Sequence, residues 1–195
     1  FVEQQLLKEA VGYQDQVSAA YGGFNKIYFK KNKFSVQKIK FKNNCLKTLE
    51  KNLLLMYTGL RRKSHDIEVH KLKKIKHNVR LLNQISSIRN EALIQFESSK
   101  ICIKTLGQLM IQSWKEKKGL TDKVSNALID NALEIGLNNG AYGGKILGAG
   151  GGGFLLFIAP KEAHNNIIKK LNKFMFVDFQ FENEGSRIIF NSKDD

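Results

Sequence analysis

Apolar and polar residues trade spacing several times along this chain, and each change predicts an element. Phe1-Val2-Glu3-Gln4-Gln5-Leu6-Leu7 reads as the middle of an amphipathic helix that closes near Gly12, and a shorter helical stretch runs from Gln14 to Ala20. After Gly22-Gly23 the spacing drops to two. Phe24 to Phe29 and Phe34 to Phe41 alternate as a pair of strands around the polar turn Lys30 to Lys33. Leu53 to Tyr57 is a compact apolar run ended by Thr58-Gly59, the signature of a buried strand. From Ser64 to Lys118 the spacing is helical, and Ile103, Leu106, Met110 and Trp114 share one face, which makes Trp114 a core residue. Gly119 predicts a stop. Thr121 or Asp122 then caps a helix striped by Val124, Leu128, Ala132 and Ile135, which ends in Gly136 to Gly140.

The last third mixes both periods. Tyr142 to Leu147 and Phe154 to Ala159 read as strands around the loop Gly148 to Gly153. Pro160 to Phe174 reads as a helix with Ile167, Ile168 and Leu171 turned inward. Phe176 to Phe181 alternates strictly, and Arg187 to Phe190 predicts a final strand. Strands and helices sharing one sheet, with a helical insert, predict an α+β fold.

Composition narrows the class. The 195 residues are 42% hydrophobic and 26% charged, a globular balance that excludes wholesale disorder. Lys and Arg number 32 against 18 Asp and Glu, a formal charge of +14, which points to an anionic partner: nucleic acid, a membrane surface or a phosphorylated metabolite. Two cysteines, Cys45 and Cys102, are too few and too distant for a disulfide framework, which favours a reduced, cytoplasmic setting. No apolar run approaches the roughly 18 residues of a spanning helix. His65, His70, His77 and His164 lack metal-ligand spacing and read as surface residues, so no metal site is predicted. The chain opens without Met inside a helical pattern, which suggests a fragment.

Gly148-Ala149-Gly150-Gly151-Gly152-Gly153 is the most informative stretch. Successive glycines allow positive φ and let several N–H groups gather around one phosphate. The string matches G-x-G-x-x-G formally, but a strand follows it where a dinucleotide fingerprint needs a helix. The Walker pattern fails as well, since Lys145 precedes Ile146. A flexible hairpin loop is the plainer alternative. It ranks lower because a hairpin needs only one or two glycines.

Lys145 to Phe154 resembles the third conserved motif of the GHMP kinases. Gly143-Gly144, Phe154-Leu155-Leu156-Phe157, Gln14-Asp15-Gln16, Ala19-Ala20-Tyr21-Gly22-Gly23, Tyr57-Thr58-Gly59, Ser113-Trp114 and Gly185-Ser186-Arg187 resemble words of its sugar-anomeric branch, whose acceptors are phosphorylated heptoses. The resemblance implies a ferredoxin-like C-terminal domain over 61–195, preceded by the end of the N-terminal domain over 1–60. It also implies an ATP-dependent kinase that phosphorylates the anomeric hydroxyl of a phosphorylated sugar, with Mg2+ held mainly by residues this chain lacks. The family's second phosphate motif, a Pro-x-x-x-Gly-Leu-x-Ser-Ser type loop, is missing, and the only proline is Pro160. The 195 residues therefore look like the C-terminal part of such an enzyme, inactive alone.

The residue roles follow from the same resemblance. Asp15 would act as base or electrostatic anchor for the acceptor hydroxyl; the competing role is a cap on the short helix. Gln14, Gln16, Tyr21, Gly22 and Gly23 would shape the sugar pocket, and Arg62 would meet the sugar's own phosphate, with Arg61 and Lys63 crowding the same place. The six residues Gly148 to Gly153 would hold ATP phosphates. Lys145 reads equally as a nucleotide contact or an inter-strand surface residue. Other GHMP small-molecule kinases, galactokinase-like or fucokinase-like, remain open, as does a non-catalytic truncated product. A nucleic-acid module is the competing class, because seven lysines lie from Lys30 to Lys47 near Phe29, Phe34 and Phe41. No recognised module word accompanies them, and the alternation assigns these phenylalanines to a core. No membrane partner is predicted, and the oligomeric state stays open.

Overall fold

A computed structural model describes residues 6–8, 12–31, 33–61, 67–70 and 78–190. The start of the helix expected from Phe1, the opening of the one expected from Ser64, and Arg62, Lys63, His65 and His77 lie outside the described residues. The chain divides into two compact units: Phe1–Val11 with Phe41–Phe179, and Gly12–Lys40 with Gln180–Asp195. The boundary near residue 60 concerns the family's two domains; the contacts of this chain divide at 40/41 and 179/180.

The larger unit is built on a four-stranded antiparallel sheet of β3 (Leu53–Tyr57), β4 (Gly143–Ile146), β5 (Phe154–Ile158) and β6 (Met175–Val177), in the order β4-β5-β3-β6. Because strand side chains alternate between faces, the register sorts them. Met56 stands opposite Leu155 and Phe176, Ile146 opposite Leu155, and Leu54 opposite Phe157. Met56, Ile146, Leu155 and Phe157 are fully buried, so this face carries the core. It packs with Ile129, Ala132 and Leu133 of α5 (Ala127–Asn138) and with Ile167 of α6 (Lys161–Lys170). Truncating a ring such as Phe157 to Ala would cost about 3–5 kcal/mol.

Helices α2 (Cys45–Lys51), α3 (Val79–Glu97) and α4 (Ile103–Leu120) complete this unit. α4 lies against the edge strand β4 at a glycine-to-glycine contact. A Cβ on Gly143 would lie 2.0 Å from the Gly107 carbonyl oxygen, closer than any side chain permits. Trp114 of α4 is buried, as its spacing predicted.

Several expectations change. The helical tract expected through Lys118 breaks into α3 and α4, because the Ser98 hydroxyl accepts from the Lys100 N–H at 3.2 Å and offers the backbone an alternative to helix. α4 ends at Leu120, one residue past Gly119, and Thr121 caps only the 3-10 turn Asp122–Val124. α5 is capped by Asn126, whose Oδ1 accepts from the Ile129 N–H at 3.1 Å. This start shifts the buried stripe to Ile129, Ala132, Leu133 and Gly136, and leaves Leu128 exposed. Ile168 faces outward while Ile167 and Leu171 are buried. α2 escaped prediction because its seven residues bury only Cys45 and Leu49. The strand expected over Phe176 to Phe181 is the three-residue β6, and Ile188, Ile189 and Phe190 are more than 80% exposed rather than in a strand. Alternation alone makes no strand where no neighbour takes the ladder.

The smaller unit holds α1 (Gln14–Tyr21) and a hairpin of β1 (Asn25–Lys30) and β2 (Lys33–Lys38), with Phe29 opposite Phe34. Phe29 and Phe34 are about half exposed instead of in a core, since a lone two-stranded hairpin has little to cover its faces. Phe41, in the larger unit, is half-buried edge-on against Phe96 at 5.8 Å.

Candidate functional site

β4 and β5 converge on the glycine loop, and the Leu147 N–H donating to the Phe154 carbonyl at 2.9 Å closes the hairpin before it. Gly148, Gly150, Gly151 and Gly153 take φ of 64°, 111°, 73° and 83°, the left-handed region that side chains resist. Space is as restrictive as angle. A Cβ on Gly150 would meet the Val124 carbonyl at 2.7 Å, and one on Gly152 would meet the Leu60 carbonyl at 2.7 Å.

Neighbouring elements bolt this loop in place. Gly151 N–H donates to the Val124 carbonyl at 2.7 Å, and Asn126 Nδ2 donates to the Gly151 carbonyl at 3.3 Å. Gly153 N–H donates to the Leu60 carbonyl at 3.0 Å. Its own carbonyl accepts from the backbone N–H of Thr58 at 2.9 Å and from the buried Thr58 hydroxyl at 2.8 Å. From α4, the Lys117 ammonium donates to the Gly148 carbonyl. Among the described residues, no acceptor takes the N–H groups of Gly148, Ala149, Gly150 or Gly152. Backbone donors left unpaired in this way are what an anion needs.

The loop borders a cleft of about 580 Å³ that Tyr57, Leu60, Arg61 and Phe154 also line. Tyr57 and Phe154 stand with ring centroids 5.2 Å apart. Gly151 does not line the cleft: it is buried and its backbone is bonded on both sides, so its part is structural. The other five predicted loop residues border the cleft. Among the described lining residues Arg61 is the only charged one, and none is a carboxylate. The described lining therefore suits phosphate oxygens. Lys145 is half-buried on β4 outside this lining, and burial pushes its ammonium pKa down.

The smaller unit holds the other predicted residues except Arg62, which lies outside the described residues. Asp15 is exposed in the first turn of α1. The N-cap is Tyr13 and no side chain caps the helix, so Asp15 does not act as a cap. Gln14 lines a cavity of about 500 Å³ with Tyr13, Phe29, Lys30, Lys33 and Phe34, while Asp15 and Gln16 do not. Tyr21, Gly22 and Gly23 lie elsewhere. The Tyr21 ring meets Phe34 edge-on at 6.2 Å. Gly23 N–H donates to the Glu182 carbonyl at 2.7 Å, and a Cβ on Gly22 would lie 2.3 Å from the Glu184 backbone. Ser186 N–H donates to the Ala20 carbonyl at 3.1 Å, so the Ala-Tyr-Gly-Gly and Gly-Ser-Arg words pack together.

His164 is buried, not superficial, and its Nε2 donates to the Ala159 carbonyl at 3.2 Å. His70 is half-buried, with Nε2 2.6 Å from the Lys123 ammonium. Among the described residues no three His, Cys, Asp or Glu side chains cluster to hold a metal, and no helix is long and apolar enough to cross a membrane. Sequence reasoning missed Lys117 and Asn126, which carry no motif and acquire their roles only through position.

A glycine loop between antiparallel strands, bolted to the segment after a buried strand, is the architecture of a GHMP kinase C-terminal domain. Residues 91–177 match the family described as GHMP kinases C terminal, so this part of the chain is a GHMP kinase C-terminal domain. The chain is 35% identical over 188 residues to D-glycero-alpha-D-manno-heptose 7-phosphate kinase of Campylobacter jejuni, a match that covers 94% of this chain and 55% of that protein. A mevalonate kinase structure aligns with TM-score 0.71 and 26% identity over 94% of this chain and 55% of its own. A D-glycero-D-manno-heptose 1-phosphate kinase from Bacteriodes thetaiotaomicron has TM-score 0.65 at 22% identity over 94% of this chain and 50% of its own, a likeness of fold alone. The chain thus spans about half the length of these relatives. GHMP kinases are phosphotransferases with sugar or alcohol acceptors and use ATP.

Proposed function

We propose that this chain is the C-terminal part of an ATP-dependent sugar kinase that phosphorylates the anomeric hydroxyl of D-glycero-D-manno-heptose 7-phosphate. The similarity to the Campylobacter heptose phosphate kinase along 94% of the chain supports the substrate. The observation that carries the reading is the set of unpaired N–H groups at Gly148, Ala149, Gly150 and Gly152. Those donors hold phosphate oxygens and stabilise the charge that builds on them during transfer. Bound ATP supplies the transferred phosphoryl group, and Mg2+ is held mainly by residues beyond these 195.

Asp15 orients the acceptor hydroxyl and receives its proton as the new bond forms. Its exposure and lack of a capping role leave the carboxylate available for that task. Gln14 and Gln16 flank it to orient the sugar, Tyr21, Gly22 and Gly23 shape the sugar's surroundings, and Arg62 takes the sugar's distal phosphate. The test is Asp15→Asn in the complete enzyme. Turnover of the heptose phosphate should fall by at least about 100-fold, while nucleotide affinity stays within about twofold. Retained turnover removes Asp15 from the mechanism. Galactose or fucose phosphorylated faster than the heptose phosphate would move the enzyme to another branch.

A further inference from the structure

The glycine loop supplies neutral donors, and a polyanion also needs positive charge nearby. The sequence expectation placed that charge on Arg62, for the sugar's phosphate. We infer that the Arg61 guanidinium is the cation that completes the glycine cleft, meeting the same phosphoryl group as the free N–H donors of the loop. This inference rests on reading the cleft as a phosphate site.

Three observations converge on Arg61. Among the described residues it is the only charged side chain lining the cleft. Its backbone is tied to the loop, since the preceding residue, Leu60, takes the Gly153 N–H at 3.0 Å and donates its own N–H to the Thr58 hydroxyl at 3.3 Å. It is exposed and has no ion-pair partner among the described residues, whereas Lys118 is paired with Asp130 at 3.0 Å and Arg187 with Glu184 at 2.5 Å. Lys117 and Lys145 are placed differently. Lys117 gives its ammonium to the Gly148 carbonyl, and Lys145 is half-buried outside the lining. A guanidinium presents a planar fork of donors that matches two phosphate oxygens and stays charged at every relevant pH.

The same chemistry fits a nucleotide triphosphate or a sugar phosphate ester, so the experiment has two arms. Amide signals of Gly148, Ala149, Gly150 and Gly152 are followed by NMR in the 195-residue chain during titration with inorganic tripolyphosphate and, separately, with heptose 7-phosphate. The unsubstituted chain should bind at least one probe weakly, with shifts concentrated at these amides. Arg61→Gln should raise the dissociation constant about five- to tenfold, and Arg61→Lys should recover part of the loss. Arg89→Gln is the charge control. Arg89 donates to Ser86 and Asn90 on the exposed face of α3, so its loss should change little. The probe whose affinity falls identifies the phosphate that Arg61 meets. Loop amides that shift equally in Arg61→Gln and the unsubstituted chain overturn the role of Arg61 alone, as do equal losses in Arg61→Gln and Arg89→Gln. Loop amides that respond to neither probe, even at millimolar concentrations, overturn the phosphate reading of the cleft and Arg61 with it.

Discussion

His164 places a titratable ring inside the larger unit, with a backbone carbonyl as its hydrogen-bond partner. Burial pushes its pKa below the ordinary 6.5, and the Ala159 carbonyl, which accepts from the ring, opposes that shift. The unfolded chain takes up a proton below about pH 6.5 that the folded chain still refuses, so the neutral ring's contribution is complete above that pH. It is lost as acid carries the solution down toward the folded value. Melting temperatures should fall between about pH 7.5 and about pH 5.5, and His164→Gln should flatten that slope. An unchanged slope would place the titration elsewhere. The helical position of His164 was visible in the sequence, but its burial was not. A histidine three residues before Ile167 lies on the core face only because α6 packs with that side inward.

Asn126 links an element to the site. One side chain caps α5 through Ile129 and holds the glycine loop through the Gly151 carbonyl. Asn126→Ala should lower stability by about 1 kcal/mol in urea unfolding. Asn126→Asp should keep most of that stability, because a carboxylate still caps the helix. It cannot donate to Gly151, so the Gly151 amide signal should move in both variants. A stable Asp variant with an unmoved loop would deny Asn126 its second role. Elements were legible where an apolar run or a clear punctuation marked them. β3 and β5 were read from compact apolar runs, and α1 and α6 came from spacing and punctuation. The stripe of α5 was read out of phase because Asn126, not Thr121 or Asp122, sets its first turn. The strand expected over Arg187 to Phe190 failed because its residues find no partner ladder among the described residues.

The cleft draws on β3, the segment after it, α4, the 3-10 turn and the β4–β5 hairpin, all within the larger unit. Asp15, Gln14 and Gln16 belong to the smaller unit. If the phosphate site is shared with a loop upstream, as in the proposed kinase, the 195 residues alone should bind ATP no better than millimolar, against about micromolar to submillimolar for the whole enzyme. Calorimetric titration of both proteins checks this, and micromolar affinity in the chain alone would refute the shared site. The +14 charge, which first left nucleic acid and phosphorylated metabolites equally open, says nothing about where an anion binds. The proposed phosphate site rests instead on one arginine and four unpaired donors that the described residues bring together in the cleft.

By itself the sequence determined what local rules govern: the α+β order of elements, the glycine word and its strand flanks, and the family resemblance those words carry. The tertiary structure alone decided which parts of the word can act. It assigned Gly151 and Gly153 to anchoring and left Gly148, Ala149, Gly150 and Gly152 with free N–H groups, because Val124 and Leu60 supply acceptors to two positions only. It also set Arg61 in the cleft and Lys117 on the loop, 87 and 31 residues from Gly148 in the chain. Backbone conformation is dictated by neighbours in sequence. Whether a donor or a charge remains free is settled by neighbours in space.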